Sequence, residues 1–185
     1  RGWLAERLVS SLGKLAPHKL ILISGIGGTG KSYFFDRLQD AKTCTKLGGN
    51  WAQLNGLMLA RHCCMYKHSD SLNAKKFLNS LIGQLLSAIK DSGRTFFISD
   101  DDDDEDDEDK TPVDKLLYDH LTNPEHADTS AIVGEVLLPA FKAIGSAEAL
   151  GGKCVVLVDS LDEARTVRNN VIVPVLIELI QKSPD

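Results

Sequence analysis

Eight consecutive residues, Gly25-Ile26-Gly27-Gly28-Thr29-Gly30-Lys31-Ser32, place four glycines, a lysine and a hydroxyl at fixed spacing. They fit G-x-x-x-x-G-K-[ST] at every fixed position, and the chemistry that spacing serves is the cradling of a phosphate chain. Backbone N–H groups must turn inward around the anion, which needs φ/ψ values that glycine adopts without steric penalty. Lys31 would reach the β- and γ-phosphates, and the Ser32 hydroxyl would be a ligand of Mg²⁺. The nucleotide contacts expected are Gly25, Gly27, Gly28, Thr29, Gly30, Lys31, Ser32 and Tyr33. A second group lies far along the chain. The run Cys154-Val155-Val156-Leu157-Val158 is wholly apolar and ends in Asp159, followed by Asp162 and Glu163. A carboxylate at the end of a buried strand sits where open α/β sheets bind ligands. Asp159 is expected to hold magnesium through water, and Asp162 or Glu163 to orient or deprotonate an attacking water. The alternative for that pair is a helix first turn, where acids complement the dipole.

These residues require elements that position them. Leu20 to Ile23 is a short all-apolar run, as expected of a strand buried on both faces, and it leads straight into the loop. The loop must then open a helix from Tyr33, whose first N–H groups favour an anion. Apolar spacing predicts a helix over 3–15, ended by Pro17. A strand is expected over 57–64 and an amphipathic helix over 73–90, from Leu78, Leu81, Ile82, Leu85, Leu86 and Ile89. Helical periodicity returns over 132–144. A last helix is expected over 171–181, with Pro174 tolerable only in its first turn. Strands alternating with helices predict an α/β domain: a three-layer P-loop fold, with a mostly parallel sheet flanked by helices.

Ten consecutive acids, Asp100 to Asp109, dominate the net charge of -5. Without them 16 acidic residues face 21 basic ones, a balance of +5. Neither value argues for nucleic acid or a membrane as partner. The acidic run and its flanks, about 91–129, read as a solvated, disordered insertion. Its spacing lacks the glycine of a calcium-binding loop. Cys44, Cys63, Cys64 and Cys154 show no disulfide or zinc-ribbon spacing, so a reducing, cytoplasmic compartment is expected. His62, Cys63, Cys64 and His68 invite a zinc reading. Alternation along a strand, however, sends His62 and Cys64 to one face and Cys63 to the other, which favours core packing. Trp3 and Trp51 read as packing residues. No [NT]-K-x-D element marks a guanine pocket, which leaves ATP, or another NTP, with Mg²⁺ as the expected ligand.

Asp159-Ser160-Leu161-Asp162-Glu163-Ala164 resembles the extended Walker B of the STAND class of signalling ATPases, in particular its NACHT-like branch. Leu59-Ala60-Arg61-His62-Cys63-Cys64 resembles the strand that follows the P-loop helix there, and Leu137-Leu138-Pro139-Ala140-Phe141 the helix ahead of Walker B. The resemblance implies a nucleotide-operated switch within a larger multidomain signalling or scaffold protein. It carries over Lys31 and Ser32 as the phosphate and magnesium residues, Asp159 as the Walker B acid, and Asp162 and Glu163 as the further acidic pair. Lys31, Asp162 and Glu163 are thus the expected catalytic residues of a slow ATPase. Self-association, or contact with other domains of the full-length protein, is the implied partnership. Set against that pattern, residues 1–185 form a partial domain that stops before the strand carrying a sensor arginine. Two other functions fit the motif: a nucleotide held as a structural ligand without turnover, and a P-loop kinase. An acidic pair after Asp159 favours water over a kinase acceptor.

Overall fold

In a computed structural model, the residues described are 28–34, 36, 58–65, 67–98, 110–123, 128–145, 154–163 and 171–183. The strand expected over 20–23, the helix over 3–15, Trp3, Trp51, Cys44 and the acidic run Asp100–Asp109 lie outside them. The chain divides into two units, Arg1–Leu57 with Asp185, and Met58–Pro184.

The second unit is built on two strands, β1 (Met58–Cys63) and β2 (Cys154–Asp159), paired in parallel. Both coincide with segments expected to form strands. Register sets Ala60 opposite Val156, Arg61 opposite Leu157, His62 opposite Val158 and Cys63 opposite Asp159. Because side chains alternate along a strand, Ala60, His62, Val156 and Val158 share one face, and Arg61, Cys63, Leu157 and Asp159 share the other. Parallel strands cannot be joined by a tight turn, so the chain between them supplies helices instead.

The main helix is α1 (Ala74–Ser92). Asn73 caps it, its side chain accepting from the Lys76 N–H at 3.0 Å. Gly93 ends it at φ +64°, a left-handed conformation that a Cβ would penalise. Phe77, Leu78, Leu81, Ile82, Leu85 and Ile89 are buried along one stripe, and α1 packs on β1. There the His62 ring meets Phe77 edge-on at 4.8 Å between centroids. His62 Nε2 lies 2.7 Å from the Ser71 carbonyl oxygen, in the 3₁₀ turn Ser69–Leu72. His62 is therefore a core histidine with its polar tip satisfied.

Gln84 on α1 also seals the outer edge of β1. Its Oε1 accepts from the Arg61 backbone N–H at 2.7 Å, and its Nε2 donates to the Arg61 carbonyl at 2.7 Å. One side-chain amide thus does what a neighbouring strand's peptide would do. An open strand edge invites pairing with another chain, and Gln84 closes this one.

The segment expected to be a solvated insertion is corrected on both sides of the acidic run. Phe97 and Pro112 form an antiparallel bridge, with Ile98 N–H donating to Thr111 O at 3.0 Å and Val113 N–H to Phe96 O at 2.8 Å. Helix α2 (Val113–Thr122) follows and packs on α1. Val113 and Leu117 are fully buried, and His120 faces Asn79 at 3.2 Å. The physical reason is that Val113, Leu116, Leu117 and His120 recur at helical spacing.

The next helical segment begins as α3 (Thr129–Ala131), capped by Asp128. It widens to a π-helix over Ile132–Leu137 and returns to α geometry as α4 (Leu138–Gly145). Leu138 N–H accordingly donates to the Val133 carbonyl, five residues back. Pro139 explains the widening: in an α-helix its ring would strike the Glu135 carbonyl, and a wider turn relieves that clash. Helix α5 (Ile172–Lys182) completes the unit, with Pro174 in its first turn, where a proline is tolerated. The described architecture is a two-stranded parallel sheet flanked by helices, around one core shared by α1, α2, the π-helical segment, α4 and α5. Among the described residues no helix is long and apolar enough to cross a membrane.

The correction at α2 is testable by denaturant unfolding. Leu117→Ala should cost about 2–5 kcal/mol as a buried core truncation. A solvated segment would return less than about 0.5 kcal/mol.

Candidate functional site

Parallel pairing brings the carboxyl ends of β1 and β2 to the same edge, and Asp159 is the last residue of β2. The residue is only 3% exposed. The turn that follows is tight. Ser160 adopts φ +56°, a left-handed conformation uncommon for a residue with a Cβ, and its carbonyl accepts from the Glu163 N–H at 2.9 Å. That geometry turns the Ser160 N–H back onto Asp159 Oδ1, at 2.9 Å. The Asp159 backbone carbonyl accepts from Cys64 N–H at 3.0 Å, so the pairing continues one residue beyond β1.

The other carboxylate oxygen is differently placed. Asp159 Oδ2 is buried and has no hydrogen-bond partner among the described residues. Its charged neighbour is Arg61 Nη2 at 3.9 Å, which belongs to the same face of the sheet. A buried carboxylate oxygen without a donor is costly. It is also a hard oxygen of the kind that accepts from water on a magnesium ion. Asp159 therefore fits the metal role expected of it.

Asp162 is exposed, whereas Glu163 is half-buried. All three carboxylates act on the neighbouring thiols. Burial first, then Cys63 and the charges of Glu163, Asp159 and Asp162, push the Cys64 thiol up to about 11. Cys63 is also raised, by burial and then Asp159, with Arg61 and a hydrogen bond from Ser160 opposing. Cysteines so placed are protonated and packed rather than nucleophilic or metal-binding. Among the described residues no three His, Cys, Asp or Glu side chains converge to hold a metal on their own.

The glycine-rich loop belongs to the first unit. Gly25 and Gly27 lie outside the described residues. Gly28 and Gly30 take φ +78° and +84°, left-handed values that glycine adopts without steric penalty. Residues 31–34 then turn into helix, with Phe34 N–H donating to Gly30 O at 2.9 Å. Phe34 is buried and anchors that turn, Lys31 is half-buried, and Thr29, Ser32 and Tyr33 are exposed.

Sequence reasoning overlooked two positions, Arg61 and Gln84. The available signal was a lone cation in an otherwise apolar strand, two residues before the strand's end. Arg61 thereby falls on the face that carries Asp159, and Gln84 grips its backbone.

A parallel strand pair flanked by helices, with a buried acid closing one strand, makes this a mixed helix and strand protein. Residues 7–185 match the model of the family described as "Nephrocystin 3, N-terminal", and the chain belongs to that family. No curated protein and no solved structure matches the chain.

Two outcomes follow for solution work. At pH 8 Cys64 should resist iodoacetamide in the folded protein and react freely once unfolded, as mass spectrometry would show. Between the ordinary thiol value of 9.0 and about 11 the folded form holds a proton that the unfolded form has lost. Stability contributed by Cys64 is therefore complete below pH 9 and falls as pH rises through that window. Separately, Gly30→Ala, placing a Cβ at φ +84°, should cost about 1–2 kcal/mol in folding, read by denaturant unfolding.

Proposed function

We propose that this chain is an ATP-binding and slowly hydrolysing switch domain of a larger multidomain signalling or scaffold protein, of the STAND class and NACHT-like, on a three-layer P-loop fold. The observation that carries the reading is the buried carboxylate of Asp159, at the carboxyl end of a parallel strand, with one oxygen short of a donor. The left-handed glycines at 28 and 30, immediately before a helical turn opened by Lys31 and Ser32, support it independently. Each feature meets a need of Mg-nucleotide binding.

The roles divide by chemistry. Backbone N–H groups of the loop from Gly25 to Ser32, with Tyr33 beyond, would hold the phosphates, and Lys31 would neutralise the β- and γ-oxygens. Ser32 and Asp159 would hold the metal, Ser32 directly and Asp159 through water. When bound, magnesium would supply charge neutralisation across the β- and γ-phosphates. Glu163 is the stronger candidate for orienting the attacking water. It is half-buried, where a carboxylate is held in place, while Asp162 faces solvent. Phosphoryl transfer to water needs positioning and electrostatics more than covalent participation, so a slow turnover suits a switch. Cytoplasmic residence and self-association belong to the same proposal.

In the full-length protein Lys31→Ala should remove measurable ATP binding. Glu163→Gln should keep binding and slow hydrolysis by roughly 10²–10⁴-fold, the range of a lost general base. Normal turnover in Glu163→Gln with loss in Asp162→Asn would exchange the two roles. Tight binding without turnover in the wild type would leave the nucleotide as a structural ligand.

A further inference from the structure

Arg61 is the one charged side chain of β1 on the face it shares with Cys63, opposite the face packed against α1, and it extends toward Asp159 at the carboxyl edge. Its Nη2 stands 3.9 Å from Asp159 Oδ2, the oxygen with no hydrogen-bond partner among the described residues. Side-chain exposure is 22% for Arg61 and 4% for Asp159, so water screens the pair little. A distance of 3.9 Å is a charge pair and not a hydrogen bond. The guanidinium balances the carboxylate without occupying the lone pairs of Oδ2.

The placement of Arg61 is itself fixed. Gln84 holds both backbone polar groups of Arg61 at 2.7 Å. Gln84 is steadied in turn by Ser80, one helical turn earlier, with Nε2 donating to Ser80 O at 3.2 Å and lying 3.1 Å from Ser80 Oγ. A line of contacts thus runs from Ser80 through Gln84 and Arg61 to Asp159. It ends on the carboxylate to which the preceding section assigns the metal.

We propose that Arg61 is the resident counter-ion of Asp159, a positioning residue that competes with the hydrated metal and so sets how strongly metal couples to nucleotide binding. This rests on the assignment of Asp159 as the metal-side acid. The physical ground is that two cations share one carboxylate. Arg61 lowers the penalty for burying Asp159 when no metal contributes, and the same charge repels the metal when it arrives. The long contact suits this role. A bidentate, fully hydrogen-bonded arginine would hold the acid too firmly to yield it.

The test uses the full-length protein with ATP, Mg²⁺ and a chelator as probes. The readout is the ratio of ATP affinity with Mg²⁺ to ATP affinity with the chelator, by calorimetry. Arg61→Met, which keeps length and loses charge, should raise that ratio by about tenfold, the scale of removing one partly screened opposing charge. Arg61→Lys should stay close to wild type. Thermal unfolding gives the matching signature: Arg61→Met should melt lower than wild type with chelator, and the gap should narrow under saturating Mg-ATP. If Arg61→Met does not fold, Arg61→Gln retains a polar group over Asp159 and should shift the ratio in the same direction. An unchanged ratio, with melting lowered equally in both conditions, makes Arg61 a purely structural residue and overturns the proposal. A wild type in which Mg²⁺ leaves ATP affinity unchanged instead overturns the assignment of Asp159, and the proposal with it.

Discussion

A buried charge at the end of a strand is the constraint around which the second unit is organised. Asp159 is nearly inaccessible, and isolating a carboxylate from water costs several kcal/mol even after the protein relaxes. The structure meets that demand locally. Ser160 accepts a strained left-handed backbone, and its N–H thereby donates to Oδ1. Arg61 brings a positive charge along the neighbouring strand to face Oδ2. Strain of this kind persists only where the surroundings over-determine it, and it collects at sites with a job to do.

The core exists in a form that makes this placement possible. Register fixes which residues share a face, so the same pairing that buries Ala60 and His62 against α1 sends Arg61, Cys63 and Asp159 to the opposite side. A slip of one residue in β1 would move Arg61 into the apolar layer and His62 out of it. Two features guard against that slip. The Gln84 amide pins the backbone at Arg61, and the edge-on packing of His62 on Phe77 fits only one register. Packing on one face therefore determines electrostatics on the other.

Much of this was legible in the sequence where a single physical signal was strong. The strand ending in Asp159 was plain from five apolar residues followed by an acid, and α1 from its 3-4 repeat. The core role of His62 followed from alternation alone. The left-handed glycines follow from the motif, because no other residue adopts those angles so freely. The helix α2 was missed because its short stripe of Val113, Leu116, Leu117 and His120 sits beside the acidic run, and composition averaged over the region hid it. The π-helical turn before Pro139 was not legible either, since periodicity cannot distinguish a helix that absorbs a proline by widening from one that breaks. Arg61 and Gln84 are a tertiary pairing 23 residues apart. Nothing local to either residue announces it.

On the proposed reading, Asp159 is the carboxylate through which a divalent metal is held with ATP. Manganese serves as a spectroscopic substitute for magnesium, and its ATP-dependent binding can be followed by electron paramagnetic resonance in wild type and Asp159→Asn. The account predicts manganese binding that requires ATP in the wild type and is weakened by about 10–100-fold in the variant, as for an outer-shell metal partner. Equal manganese binding in the two proteins would contradict it, and Asp159 would then be only a buried acid balanced by Arg61.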